Sequence, residues 1–222
     1  MIKEEQFKLI KEVACRYDNE GSAERFYTGE FTKSHRSSRL DKEFVFVKDL
    51  NLKNEIILDI GCSGGKYTHF LIKDNTVISI DSSIHALKYA KSKMSDASLI
   101  QASITHLPFK KEIFTTVLCI ELLHHLDNEI LDASVKEINQ VILPDGHLIC
   151  DLRNSLNPIM WYSYWKRDGI SFPLKTRSIF RFSSVLKKNG FTTIRRKSLF
   201  FPISFLAPYV MFIQKKVSSK YV

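Results

Sequence analysis

Cysteine is scarce in this chain, and its four copies, Cys15, Cys62, Cys119 and Cys150, form no C-x-x-C pair. That argues against a zinc module or a disulfide framework and for reduced thiols in a cytosol. No apolar run reaches the ~18–20 residues that a membrane-spanning helix needs; the nearly uncharged stretch 199–213 is shorter and carries Pro202 and Pro208. Residues 1–5, Met-Ile-Lys-Glu-Glu, lack an apolar signal-peptide core. Internal repeats and low-complexity tracts are absent. Acidic residues almost vanish from the last third, where residues 151–222 hold fourteen Lys+Arg against two Asp+Glu, a net +12; residues 1–50 and 51–150 carry net charges of 0 and −3. The exclusions leave an ordinary globular chain of 222 residues with 44% hydrophobic content, which predicts a single domain, 1–222, in the cytoplasm.

What is present is concentrated in Asp59-Ile60-Gly61-Cys62-Ser63-Gly64-Gly65. The apolar run 56–58 before it reads as a buried strand. Glycines at 61, 64 and 65 let the backbone turn sharply and approach a ligand, and residues 66–71 can open a helix whose first amides face it. A dinucleotide fingerprint would need glycines at 61, 63 and 66, where Ser63 and Lys66 stand, and no Gly-Lys-Ser/Thr follows for a phosphate loop. Asp59 would repel a pyrophosphate and attract an amino group or a sulfonium. A second β-branched run, 77–80, ends at Asp81, about where open α/β sheets grip ribose hydroxyls; Asp81 can also cap a helix starting near Ser82 and Ser83.

The order strand 56–60, helix 65–73, strand 77–81, helix 83–93, strand 98–102, strand 116–120, helix 128–141 and strand 147–152 predicts an α/β, doubly wound, mostly parallel sheet with ligands at its carboxyl edge. Residues 1–50 read as mostly helical.

Over about residues 40–150 the chain resembles the class I S-adenosylmethionine-dependent methyltransferases, particularly the small-molecule group that contains the ubiquinone and menaquinone methylating enzymes. Asp59, Gly61 and Gly65 match the acidic-x-Gly-x-Gly-x-Gly motif, with Ser63 in place of the middle glycine, and Asp81 matches the second-strand acid. Residues 102–109, Ala-Ser-Ile-Thr-His-Leu-Pro-Phe, match a Gly-Asp-Ala-x-x-Leu-Pro-Phe segment, with Ser103 replacing the acid that bonds the adenine amino group. Residues 114–126 match the fourth-strand motif, with Thr115 where Asp is usual, and Leu143-Pro144-Asp145-Gly146 matches the later Leu-Lys-Pro-Gly-Gly turn.

The resemblance implies a Rossmann-like seven-stranded sheet with an antiparallel C-terminal edge hairpin near 192–196 and 210–214. It implies a helical lid over 1–50, with Tyr17, Tyr27 and Arg39 as candidate contacts, a cofactor-binding core over 51–152, and a basic, aromatic-rich substrate side over 153–222. S-adenosylmethionine would then touch Asp59, Gly61, Cys62, Ser63, Gly65, Asp81, Ser82, Ser103, Ile104 and Glu121. In-line methyl transfer needs a placed nucleophile and, where that nucleophile carries a proton, a base. His125 is the candidate, with His124 beside it; a structural histidine is the other reading of either. Asp151, Arg153, Asn154 and Asn157 could orient the acceptor, or only shape turns. No metal is expected.

The basic third, rich in aromatics such as Trp161, Tyr162, Tyr164, Trp165, Phe172, Phe180, Phe200, Phe201 and Phe205, leaves three partners open: a small or lipid-linked acceptor, a membrane surface facing Arg195, Arg196, Lys197, Lys215 and Lys216, or RNA. No appended RNA-binding module and no Asn-Pro-Pro-aromatic motif is present. A non-catalytic cofactor-binding subunit is the reading outside enzymes. Oligomeric state is not legible.

Overall fold

A computed structural model describes residues 20–28, 35–158, 160, 162, 177–203 and 205–217. Residues 1–19 of the expected helical part, Tyr17 among them, and the aromatics Trp161, Tyr164, Trp165 and Phe172 lie outside them. Seven strands form one sheet in the order β3-β2-β1-β4-β5-β7-β6, where β1 is Ile56–Ile60, β2 Thr76–Asp81, β3 Ser98–Gln101, β4 Phe114–Cys119, β5 Ile142–Arg153, β6 Phe191–Leu199 and β7 Tyr209–Lys216. The first five run parallel; β7 pairs antiparallel with both β5 and β6. The expected hairpin therefore forms, with its second strand inserted next to β5 and its first at the edge.

The sheet is covered on both faces, which is why its central strands read as unbroken apolar runs. Successive residues point opposite ways. Ile57, Leu118, Ile149, Met211 and Ile213 pack on one side with Phe46 and Val47, while Leu58, Val117, Leu148, Val210 and Phe212 pack on the other with Ile130, Val135, Ile138 and Phe182. Phe46 and Val47 belong to α2 (His35–Asp49), and α1 (Glu20–Thr28) precedes it. The expected lid is thus in part a core layer: α2 buries its C-terminal half on the sheet and only its start reaches the carboxyl edge.

Short helices α3 (Lys66–Leu71) and α4 (Ile84–Lys93) follow β1 and β2, and α5 (Asn128–Val141) and α6 (Ile179–Lys188) cover the other face. Their starts follow side-chain capping chemistry. Ser83, Asp127 and Ser178 accept the backbone N–H of Ala86, Ile130 and Arg181 at 3.0, 2.9 and 3.2 Å. In α5 the buried residues Ile130, Leu131, Ser134, Val135, Ile138 and Val141 recur every three to four positions, the stripe of a helix lying on a sheet.

One element differs from the expectation. The Asp145-Gly146 turn does not precede β5 but bulges within it: the strand begins at Ile142, Asp145 takes φ 65°, and the register against β4 shifts between Phe114 and Thr116. A turn dipeptide reads the same from sequence whether it ends a strand or interrupts one. Thr115, the other departure in this stretch, exchanges hydrogen bonds with the Ile56 backbone (2.9 and 3.1 Å) and so ties β4 to β1.

Candidate functional site

Sheet order reverses between β1 and β4: β2 and β3 lie on one side of β1, β4 and β5 on the other. In open α/β sheets a crevice forms at the carboxyl ends of such a pair. Here it lies between the loop after β1 and the segment after β4, and its wall contains Asp59, Gly61, Cys62, Ser63, Asp81, Ser82, Ser103, Ile104, Glu121 and His125. Nine of the ten expected cofactor contacts and the candidate base His125 thus share one cavity. Leu40, Lys66, Tyr67, Ser83, Leu122 and Asp127 also face it; none of them was singled out as a ligand contact from sequence.

The loop is built by backbone conformations that suit glycine. Gly61 and Gly65 have φ 74° and 82°, and Ser63, at the usual glycine position, has φ 48°, a region uncommon for other residues. Asp81 holds it there. Its Oδ2 accepts the Ser63 N–H at 2.8 Å and its Oδ1 the Ser83 N–H at 2.9 Å, so one carboxylate ties the first loop to the start of α4. A carboxylate offers about four lone-pair sites, so it can accept a ligand hydroxyl besides backbone amides. Gly64 is required for a different reason: a Cβ there would land on the Ala23 carbonyl oxygen of α1. Gly65 faces Met94 and Ala90 instead of the cavity.

Asp59 is 2% exposed, and its Oδ2 accepts the Thr68 hydroxyl at 2.7 Å. Burial pushes its carboxyl up to about 7, against the pull of the Thr68 hydrogen bond and with a smaller push from the Asp81 charge. The folded protein therefore holds this proton at pH values where the unfolded chain has released it. Stability from Asp59 is complete below the unfolded value and is lost as pH rises through about 7. The melting temperature of the ligand-free protein is expected to fall between about pH 4 and 7, and more gently in the Asp59→Asn variant. An unchanged slope in that variant, followed by scanning calorimetry, would reject the assignment. Asp151, likewise pushed to about 7 mainly by burial, and Glu43, also raised by burial, add slopes of the same sign, and His124, held neutral, adds one of the opposite sign below its ordinary value.

Behind the cavity lies a buried ionic cluster. Glu121, with φ 61°, receives both guanidinium nitrogens of Arg39, one of them at 2.5 Å, and the Arg153 guanidinium at 2.9 Å. Arg39 also reaches Glu43 one turn along α2 (3.1 Å) and stacks on the Tyr209 ring at 4.7 Å. Burial alone would raise the Glu121 carboxyl; the Arg153 and Arg39 charges more than reverse that and hold it well below the usual range. Burial drives Glu43 the other way, upward. Asp151 accepts the Glu121 N–H at 2.6 Å and lies 3.5 Å from the His124 ring. Glu121, His124 and Asp151 bring three donor atoms within 4.8 Å of one another, but two guanidiniums already hold the Glu121 oxygens, so that donor set suits arginine and repels a cation.

Burial also pushes His124 far below its ordinary value, with Arg153 adding to the shift, so this ring is neutral and sits behind the wall. His125, on the 3₁₀ turn Leu123–His125, is the histidine that faces the cavity. Arg177 frames that turn. It donates to the Leu126 and Leu123 carbonyls and, at 3.2 Å, to Asn128 Oδ1. Nothing in the local sequence marks Arg177, which is 54 residues from Leu123.

Asp151, Arg153 and Asn154 lie beside the cavity, outside its wall. Asn154 is buried and donates to the carbonyls of Phe205 (2.8 Å) and Ala207 (3.0 Å). Tyr27 bonds His69 at 2.5 Å and packs edge-on against Tyr89, docking α1 on α3 and α4. Cys62, Cys119 and Cys150 are buried free thiols, which burial pushes well above their ordinary values.

The family described as methyltransferase domain matches residues 58–150, the segment from β1 to β5 that builds this crevice. That segment is a methyltransferase domain. Its relatives include an uncharacterised protein of Methanocaldococcus jannaschii, 39% identical over 99 residues, which are 45% of this chain and 41% of that one. An uncharacterised methyltransferase of Synechocystis is 27% identical over 147 residues, 63% of this chain and 68% of that one. The chain thus spans less than half the length of the first relative. Among solved structures, a putative methyltransferase of Bacillus halodurans superposes with a TM-score of 0.68 at 16% identity, covering 80% of this chain and all of that one, a likeness of fold. Methyltransferase domains of this family take S-adenosylmethionine as methyl donor. The residues present fit it: two carboxylates, Asp59 and Asp81, face the same cavity as the apolar Ile80, Ile104 and Leu122, a wall suited to a nucleoside that carries positive charge.

Proposed function

We propose that this chain is an S-adenosylmethionine-dependent methyltransferase that acts on a small or lipid-linked acceptor. The observation that carries the reading is the tether between Asp81 and the Ser63 and Ser83 amides, which presents one carboxylate and a bare glycine loop to a cavity at the switch point of the sheet. Asp81 would take the ribose hydroxyls. Asp59 would face the positively charged end, Ser103 and Ile104 the base. Glu121 lines the same cavity with its oxygens already held by Arg39 and Arg153, so its part is to fix the wall and to anchor α2 beside the ligand. When bound, the donor supplies a methyl group on a sulfonium, whose sulfur leaves as a neutral thioether. His125 would accept the proton of an oxygen or nitrogen acceptor; His124, neutral and behind it, has no route to one. The chain from residue 1 to 222 is read as one methyltransferase unit, with 153–222 as its acceptor side.

Titration of the purified chain with S-adenosylhomocysteine in a calorimeter is expected to give saturable binding at one site and a raised melting temperature. Absence of both would end the reading. RNA is the second reading, favoured by the net +12 of residues 151–222. It requires affinity for bulk tRNA that falls steeply as salt rises.

A further inference from the structure

Four large apolar side chains stand in solvent within six residues of the β6–β7 connection. Phe200, Phe201, Ile203 and Phe205 are 41, 42, 45 and 50% exposed. They are held out by the structure behind them. Leu199 and Ala207, on either side, are buried in the core. The carbonyls of Phe205, Leu206 and Ala207 accept the Asn154 and Asn157 side-chain amides at 2.6–3.0 Å, and the Leu206 and Ala207 amides turn back to the Ile203 carbonyl. Buried Asn154 and Asn157, candidate acceptor contacts by sequence, are thus the clamps of this tip. Leu156, on the clamping segment, is also 39% exposed.

The surroundings are cationic. Lys42 Nζ lies 3.7 Å from the Phe200 ring centroid. Lys197, two residues before β6 ends, is 40% exposed and reaches Asp49 only at 3.8 Å. No acidic residue occurs after Asp168 in the whole chain. Aromatic side chains beside ammonium groups match the boundary of an anionic bilayer, where rings sit at headgroup depth and each nearby cation is drawn to lipid phosphate. A protein partner fits less well. Fully covered aromatic side chains bury ~150–250 Å² each, so three half-exposed phenylalanines with one isoleucine offer roughly 300–400 Å², well short of the ~800 Å² that a stable partner covers.

The patch is linked to the cavity wall through a relay of three contacts. Glu121 of the cavity wall binds Arg39, Arg39 stacks on Tyr209, and the Tyr209 ring meets Phe200 at 6.3 Å. We propose that residues 200–205 dock this chain on an anionic lipid surface, so that the acceptor enters the cavity from the bilayer and is lipid-linked; the second half rests on the methyltransferase reading above.

The test is co-sedimentation of the purified chain with extruded vesicles of phosphatidylcholine alone or mixed with phosphatidylglycerol, before and after changing Phe201, Ile203 and Phe205 to serine. The wild type is expected to pellet with the anionic vesicles, and the triple variant to partition about tenfold less. Lys42→Glu with Lys197→Glu should weaken binding to anionic vesicles alone. Wild type and triple variant partitioning alike, or wild type pelleting with neither vesicle, overturns the proposal. S-adenosylhomocysteine titration of the same variants separates the two layers. Retained ligand binding shows that a variant has folded and that loss of vesicle binding belongs to the patch; vesicle binding by a wild type that takes no ligand upholds the docking surface and removes the acceptor clause.

Discussion

Replacing Arg39 with alanine is expected to lower the unfolding free energy by about 3–5 kcal/mol, the usual loss when one member of a buried charged group is removed. Arg39 is 2% exposed and the cluster around it holds Glu43, Glu121, Asp151, His124 and Arg153. Without it Glu121 keeps Arg153, whereas Glu43, with Oε2 already lacking a hydrogen-bond partner, loses its only close cation among the described residues. The cation–π contact with Tyr209 goes as well. For a domain whose total stability is ~5–15 kcal/mol, such a loss is a large share. Urea unfolding of Arg39→Ala and of the double variant Arg39→Met with Glu43→Gln measures it. The double variant should recover part of the loss, because its buried charge is removed together with the cation that offset it. A fall below about 1 kcal/mol in the single variant would mean that water reaches the cluster and that α2 is not anchored by it.

Arg39 also shows where sequence reading stops. It stands five residues into a helix of mixed composition, and its pattern is equally that of a surface residue or a ligand contact; its burial depends on Glu121, 82 residues away, arriving at the end of β4. The cofactor edge, by contrast, was legible because local chemistry dictates it. A buried strand needs apolar residues, a turn with φ near +80° favours glycine, and a carboxylate after each of two neighbouring strands has few uses other than tethering loops and meeting a ligand. Asp59, Gly61 and Asp81 follow from those requirements, whereas Ser63 enters only through the family resemblance. Asp151 and Asn154 were expected at the acceptor because they end the next strand. They lie beside the cavity since the backbone there must itself be held: Asp151 takes the Glu121 amide, and Asn154 takes two carbonyls of a segment 51 and 53 residues further on. Neither demand leaves a trace in the residues that neighbour them in sequence. The same holds for β5, whose first residues pair with β4 across a bulge that only the partner strand reveals.

Asp81→Ala is expected to weaken S-adenosylhomocysteine binding far more than the loss of one ligand contact would. The substitution leaves the Ser63 and Ser83 amides without their acceptor and removes the group that would meet the ribose. A single unsatisfied polar group costs about 1–3 kcal/mol. Two such losses that act together on one loop come to about 2–6 kcal/mol, roughly 30- to 20,000-fold in affinity. The effect is concentrated in binding because Ser63 holds φ 48° only while its amide is tethered; released, the loop can relax into conformations that no longer leave the cavity open. Asp81→Asn separates the two contributions. Its amide keeps one acceptor oxygen for one of the two N–H groups and turns a donor toward the other, so it should fall between wild type and Asp81→Ala. Calorimetric titration alongside melting curves decides the matter. Affinity in Asp81→Ala within about threefold of wild type, with folding intact, would remove Asp81 from the ligand site and leave it as a structural cap between the first loop and α4.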